Sequence, residues 1–324
     1  MTVISPLTTE TAQAVAQAPT AAAAAQIVAP EAAAAGAAPQ AVAAAPAVAE
    51  PVLRLAAADR QRCSDLAVSR DWGAEEHKWD LLFEVGEVYG IEDAEGRLTA
   101  TAVLTRYGTQ LASVSMVLVA EDRERQGYGT AVMRHVMEQA TGATLVLHAT
   151  QTGRPLYESL GFAAFGTVET HVGQWDPTGT STGLTQPASP EDLLQLARLD
   201  HEVYGVHRTA VVKRLPRFAE QVRVLRNEEG LLVGYGARWR NGETTMVGPV
   251  LAPDFAGARD LIADLMDGVE GEVRVDVDAE ADDLSAWVCG HGLKTGYACT
   301  HMALGGTPPM DAARLHAPLM CALG

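Results

Sequence analysis

Residues 116–140, MVLVAEDRERQGYGTAVMRHVMEQA, join an apolar strand to an amphipathic helix through a turn that contains two glycines. Residues 116–120 have the length and apolar character of a buried strand, and apolar residues recur at helical spacing from Val132 to Ala140. Gly127 and Gly129 permit backbone angles that other residues avoid, and the first turn of a helix has free N–H groups. Those donors favour an anion, so the stretch predicts a phosphate-binding loop between strand and helix.

A second motif follows directly in residues 144–162, TLVLHATQTGRPLYESLGF. It predicts a buried strand, a turn, a short helix and an exit into a further strand. With the glycine loop, it resembles the GNAT acyltransferase superfamily, whose members combine a V-x-V strand, a loop of the form [RQ]-x-x-G-x-[GA] and a downstream L-Y-x-x-x-G-F. The chain departs from this pattern at one position, where Glu124 replaces the usual Arg or Gln between Arg123 and Arg125.

The resemblance implies that the cofactor is acetyl-CoA or another acyl-CoA. In that family the strand ending near Val119 and the strand ending near Thr150 splay apart, and the pantetheine arm lies between them. The cofactor contacts that this implies fall on the end of the first strand and on the loop: Val117, Leu118, Val119, Arg125, Gln126, Gly127, Tyr128, Gly129 and Thr130.

Acyl transfer from a thioester to an amine needs a base for the ammonium and an acid for the leaving thiolate. The resemblance assigns the acid to Tyr157, the tyrosine of the second motif. For the base the sequence offers His148, which titrates in the right range. The resemblance adds Glu84 and Glu87, which lie where GNAT enzymes often place an acidic base, with ordinary surface carboxylates as the alternative. A bound water or a packing role for His148 stays open. Contacts to cofactor or substrate are expected from Thr150 and Arg154.

The order of predicted strands and helices gives an α+β fold with a mixed sheet, and this order occurs twice. The boundaries that follow are a disordered Ala/Pro-rich tail over residues 1–50, a catalytic domain over 51–174, a linker over 175–188 and a second GNAT-like domain over 189–324. Residues 248–266, GPVLAPDFAGARDLIADLM, align with the glycine loop. A helix over residues 209–219 is also predicted.

The second domain lacks the residues that would bind a cofactor. It has one loop glycine, Gly257, no basic cluster before it, and Val288 in the place of Tyr157. The pattern resembles bacterial tandem-GNAT proteins with a degenerate second domain. Asp200 and Asp276 are candidates for the substrate side of an interdomain cleft, with internal salt bridges such as Asp200 to Arg208 as the alternative.

The formal net charge of −17 argues against nucleic acid or an anionic membrane as a partner and suits a cationic small molecule, although solubility alone also explains it. Four scattered cysteines indicate reduced thiols and no metal site. No apolar run reaches membrane-spanning length and no secretory signal is recognised, so a cytoplasmic location is expected. Whether the chain forms a homodimer stays open.

Three functions fit these patterns. The leading one is an acetyl-CoA-dependent N-acyltransferase that acts on a primary amine of a small cationic acceptor. The second is a non-catalytic acyl-CoA sensor or interaction protein, which the Glu124 departure favours. The third is a hydrolase or decarboxylase of acyl-CoA on the same fold.

Overall fold

The computed structural model describes residues 48–178 and 183–324. The predicted tail over residues 1–50 therefore lies almost wholly outside the described residues. Within them, no helix is long and apolar enough to cross a bilayer.

The first half of the described chain contains six strands and four helices: β1 (Val52–Arg54), α1 (Arg60–Val68), α2 (Glu76–Val85), β2 (Glu87–Glu92), β3 (Leu98–Tyr107), β4 (Leu111–Val119), α3 (Tyr128–Gln139), β5 (Thr144–Ala149), α4 (Arg154–Ser159) and β6 (Ala163–Gln174).

The second half repeats this plan with one more helix and one more strand: β7 (Thr185–Pro187), α5 (Leu193–Tyr204), α6 (Thr209–Val212), α7 (Leu215–Phe218), β8 (Gln221–Arg226), β9 (Leu232–Asn241), β10 (Thr244–Leu251), α8 (Phe255–Met266), β11 (Glu272–Asp278), α9 (Asp282–Gly290), β12 (Leu293–Leu304) and β13 (Leu315–Ala317). A 3₁₀ turn, Cys321–Leu323, follows β13.

The strands of both halves form one mixed sheet in the order β1-β2-β3-β4-β5-β12-β6-β11-β10-β9-β8-β7, with β13 added beside β10. The two halves exchange their last long strands. β12 of the second half pairs with β5 of the first, while β6 of the first half pairs with β11 of the second. Because β6 and β12 also pair with each other, the sheet runs unbroken through the centre of the molecule.

Side chains on the two faces of this sheet form separate cores. On β5, Val146 belongs to the largest core, while Leu145 and Leu147 belong to another, so these cores lie on opposite faces. The largest core contains side chains of α1, α2, α5 and α6 and therefore spans both halves. Helices α3 and α4 pack in the second core, and helices α8 and α9 pack in a third.

The predicted helix over residues 209–219 is wrong as a single element, because the structure has α6 and α7 there. Pro216 has no N–H for the bond that a continuous helix would need at that position, and it lies instead in the first turn of α7. The segment predicted as a linker, 175–188, contains the short strand β7 and the buried side chain of Trp175.

Candidate active site

The predicted splay between the two motif strands is present. β4 and β5 pair in parallel only from Leu111 with Thr144 to Ser113 with Val146, and then diverge. Each strand keeps its outer neighbour, since β4 still pairs with β3 and β5 with β12. The gap beyond these pairs, between residues 117–119 and 148–150, is called the first cleft below.

The orientation of the β4 backbone decides which groups face the first cleft. The N–H of Ala120 donates to the Thr99 carbonyl oxygen on the β3 side at 2.8 Å. Since successive residues of a strand direct their backbone groups to opposite edges, Val117 and Val119 present N–H and C=O to the cleft, whereas the N–H of Leu118 is directed toward β3. Two of the three predicted strand contacts therefore have the orientation that a ligand in the cleft requires.

An irregularity in β4 precedes these residues. Met116 has a φ of 47°, and the register against β3 shifts between Thr101 and Val103. The Thr101 hydroxyl donates to the Met116 carbonyl oxygen at 2.9 Å, which fixes the bulge. A bulge bends its strand, so it helps to turn the end of β4 away from β5.

The glycine loop places an open helix N-terminus at the mouth of the first cleft. Gly127 is the N-cap of α3 with a φ of 93°, and no side chain caps the helix. The N–H groups of Tyr128, Gly129 and Thr130 are thus free of intrahelical partners. A Cβ on Gly129 would lie 3.2 Å from a Leu156 methyl group, so this glycine also allows α3 to approach α4.

The charged residues around the loop are mostly paired with each other. Arg70, in the turn after α1, forms an ion pair with Glu124, the residue that departs from the family pattern, so the Glu124 charge is balanced locally. The Gln126 side chain donates to the Asp122 carbonyl oxygen at 2.7 Å. Arg125 has no ion-pair partner among the described residues, so no neighbouring carboxylate balances its charge.

The second half forms the same kind of gap but fills it. β10 and β11 pair in parallel from Thr245 with Val273 to Val247 with Val275 and then diverge. β13 lies beside β10 in this second cleft, with Ala317 opposite Val250. Backbone groups that a pantetheine arm would satisfy in the first cleft are therefore satisfied by the protein's own chain in the second.

The helix that follows the second cleft is also closed to an anion. Asp254 is the N-cap of α8, and its carboxylate accepts a hydrogen bond from the Gly257 N–H at 2.9 Å. A carboxylate at a helix N-terminus occupies the position that a phosphate would take.

Tyr157 lies on α4 at the far end of the first cleft and is 8% exposed. Its ring packs edge-on against Phe162, with centroids 6.1 Å apart. Burial raises the pKa of the Tyr157 phenol well above its usual value, so the hydroxyl keeps its proton at neutral pH. Neighbouring Thr150 accepts the Gly153 N–H, and Arg154 pairs with Glu158 at 2.7 Å.

His148 lies on β5 just beyond the point where β4 and β5 diverge. Its Nδ1 is 2.9 Å from the Cys321 carbonyl oxygen, and because a carbonyl can only accept, Nδ1 carries the proton. The other nitrogen, Nε2, then has the free lone pair. Burial lowers the pKa of His148, although the Cys321 hydrogen bond opposes this, so the ring is neutral at pH 7.

The two acidic candidates for the general base already form ion pairs or hydrogen bonds with other side chains. Glu84 forms ion pairs with Arg214 and Arg217, which ties α2 to the α6–α7 region of the second half. Glu87 accepts hydrogen bonds from Arg106 and the Tyr89 hydroxyl. Both carboxylates therefore stabilise contacts between elements and are poor candidates for removing a proton.

Asp200 and Asp276, expected at a substrate cleft, are buried in internal pairs. Asp200 accepts from Arg208 at 2.9 Å and from the Tyr235 hydroxyl at 2.7 Å, and the Asp200 and Arg208 side chains are each 1% exposed. The alternative of an internal salt bridge is thus the one present. Asp276 accepts two hydrogen bonds from Arg274, at 2.7 and 3.0 Å.

Sequence reasoning missed residues 315–324, called the closing segment below. It runs from β13 in the second cleft to the Cys321–Leu323 turn, which contacts β4 and β5. The Ser113 hydroxyl is 3.5 Å from the Ala322 carbonyl oxygen, and the Trp239 indole donates to the Leu319 carbonyl oxygen at 3.1 Å. A three-residue strand gives no periodic signal, and β10, with which it pairs, lies more than 60 residues away along the chain.

Comparison with known proteins places both halves in one family. A family model described as "Acetyltransferase (GNAT) domain" matches residues 84–164, and a second with the same description matches residues 196–317. The protein "Uncharacterized N-acetyltransferase YitH" of Bacillus subtilis is 28% identical over 218 residues, which are 66% of this chain and 76% of that protein.

Solved structures share the fold across most of the chain. A provisionally named acetyltransferase of Pyrococcus horikoshii has a TM-score of 0.73 at 16% identity, covering 85% of this chain and 95% of its own. A tandem GNAT protein from the clavulanic acid biosynthesis pathway has a TM-score of 0.59 at 14% identity, covering 79% and 99%.

The mixed α/β sheet, the two sequence motifs and these comparisons together define the protein as an acyltransferase. The chain belongs to the GNAT N-acetyltransferase superfamily and carries two GNAT domains in tandem.

Asp200→Asn should destabilise the protein without weakening cofactor binding. It leaves the Arg208 guanidinium without its buried counter-charge, a change that costs about 3–5 kcal/mol of unfolding free energy. Urea denaturation measures this loss, and Glu202→Gln on the exposed side of the same helix is the control, with an expected loss of about 1 kcal/mol or less. A small loss of stability combined with weaker amine binding would contradict this and would indicate that Asp200 contacts the substrate.

Proposed function

We propose that this protein transfers an acetyl group from acetyl-CoA to a primary amine of a small cationic acceptor, using only the first of its two clefts. This proposal rests on the structural difference between the two clefts. The first has unpaired strand backbone and an uncapped helix N-terminus, whereas the second is filled by β13 and capped by Asp254.

The first cleft has the donors that acetyl-CoA requires. Val117 and Val119 would hold the pantetheine amides as a neighbouring strand does, and the α3 amides with the Arg125 guanidinium would hold the pyrophosphate. Acetyl-CoA supplies the acetyl group as an activated thioester. The uncapped helix N-terminus at Gly127 supports the assignment of these contacts to residues 127–130.

Two side chains then transfer the protons of the reaction. His148 Nε2 takes the proton from the acceptor ammonium, because the Cys321 carbonyl holds the proton of this ring on Nδ1. Tyr157 returns a proton to the leaving sulfur, since burial keeps its phenol protonated at neutral pH. The net charge of −17 attracts a cationic acceptor toward the protein.

Gly129→Glu should raise the Kd for acetyl-CoA about a hundredfold or more, because like charges ~4 Å apart repel by about 4 kcal/mol at an effective dielectric constant of about 20. Calorimetric titration measures the affinity, and wild-type binding near one site per chain is expected. Gln139→Glu, which adds the same charge at the exposed far end of α3, is the control. Two sites per chain, or equal affinity in the Gly129 variant, would contradict a single open cleft.

Tyr157→Phe should lower kcat about a hundredfold or more and leave the Kd for acetyl-CoA unchanged, because general acid catalysis contributes ~10²–10⁴ in rate. Phenylalanine retains the ring packing against Phe162. CoA release with an amine acceptor measures the rate, and Tyr297→Phe serves as a surface control. Full activity in the Tyr157 variant would remove this residue as the acid.

His148→Gln should lower kcat and remove the acidic limb of its pH profile. Because burial lowers the pKa of His148 below its usual value of 6.5, the wild-type kcat should stay constant down to that pH and fall only at lower pH, as the ring gains a proton. Initial rates over a range of pH test this, with His207→Gln at the surface as the control. An unchanged limb in the His148 variant would assign the base to another group.

A further inference from the structure

A small cavity adjoins His148 on the face of the sheet that carries the largest core. Its volume is about 30 Å³, and its walls come from β5, the two exchanged strands, β11, residues 310 and 312, and the closing segment. The residues that matter for recognition are His148, Asp278, His301 and His316. This volume matches one water molecule or one ammonium group.

Two ring nitrogens at this cavity are unsatisfied. His301 is 7% exposed and His316 is 9% exposed, and the Nε2 of each has no hydrogen-bond partner among the described residues. A buried polar atom without a partner costs free energy, so a water molecule or a ligand with a donor group would be stabilised beside these atoms. Both atoms belong to the second half, and strand exchange places His301 directly against His148, with ring centroids 4.1 Å apart.

The charges at the cavity select a cation with N–H donors. Burial lowers the pKa of His301 to about 2 and also lowers the pKa of His316, so both rings are neutral and can accept hydrogen bonds. Asp278 contributes a carboxylate. Over the described residues, no group of three or more His, Cys, Asp or Glu side chains is arranged to hold a metal ion. A primary ammonium, with one charge and three N–H groups, satisfies this set.

We propose that the cavity is the subsite for the acceptor's ammonium group, recognised by His301, His316 and Asp278 and held beside His148. This inference rests on the proposed function and narrows its acceptor to an unhindered primary ammonium. The second domain then has a direct part in the site, because it supplies all three recognition residues while binding no cofactor of its own.

Binding of methylammonium chloride to the ¹⁵N-histidine-labelled protein tests the subsite without any turnover. The imidazole signals of His301 and His316, assigned with His301→Phe and His316→Leu, should shift saturably. Tetramethylammonium chloride, which has no N–H and does not fit the cavity, should leave them unchanged. Equal shifts with both salts, or no saturable shift with methylammonium, would overturn the proposal.

Kinetics provide the second test. Asp278→Asn, His316→Leu and His301→Phe should each raise the KM for a primary amine about tenfold or more and leave the Kd for acetyl-CoA unchanged. Each histidine variant removes a hydrogen bond to the charged ammonium, and Asp278→Asn removes the negative charge of the carboxylate. Glu280→Gln, which removes an exposed carboxylate two residues from Asp278, is the matched control. The Phe variant keeps the stacked ring, and the other two carry the test if it fails to fold.

The two proposals fail in different ways. Wild-type protein that turns over amines while all three variants keep a normal KM would overturn the subsite and leave the acetyltransferase function intact. Wild-type protein that shows no acetyl-CoA turnover would overturn the function, and the methylammonium titration would still decide the subsite.

Discussion

The pairing of β12 with β5 is the contact on which the rest of this structure depends. A strand that diverges from its neighbour on one side loses hydrogen bonds there, and β5 can do so because β12 continues its ladder on the other side through five residue pairs. β6 gives β11 the same support in the second half. Each half therefore needs a strand from the other to hold its own cleft open, and the central β6–β12 pair fixes the two clefts in one sheet.

The two halves have the same cleft geometry, but the first cleft is open and the second is filled. A diverging strand pair and a helix N-terminus both require partners, and these come either from a ligand or from the chain. In the first half Gly127 leaves the helix uncapped, whereas in the second Asp254 supplies the anion and β13 supplies the strand. The second cleft thus has the strand geometry of the first, while the protein's own groups take the positions that are open there.

The sequence predicted the parts of this site that depend on local chain geometry. Glycine spacing and the change from strand to helix period identified the loop, and the repeated order of elements identified both halves. Contacts between distant residues were beyond it: Glu84 pairs with arginines 130 and 133 residues away, and His148 is held by a carbonyl 173 residues away. Strand exchange also has no local signature, because the same β6 and β12 sequences would suit an unexchanged sheet equally well.

The closing segment joins the second half to the first. Its first residues fill the second cleft as β13, and a few residues later the Cys321 carbonyl fixes the tautomer of His148 beside the first cleft. The Cys321 thiol also lies 3.5 Å from Asp276, whose pair with Arg274 anchors this turn. A cofactor in the second cleft would have to displace β13, and with it the residues that lead to Cys321. The strand that fills the second cleft and the carbonyl that sets the His148 tautomer therefore belong to the same ten residues.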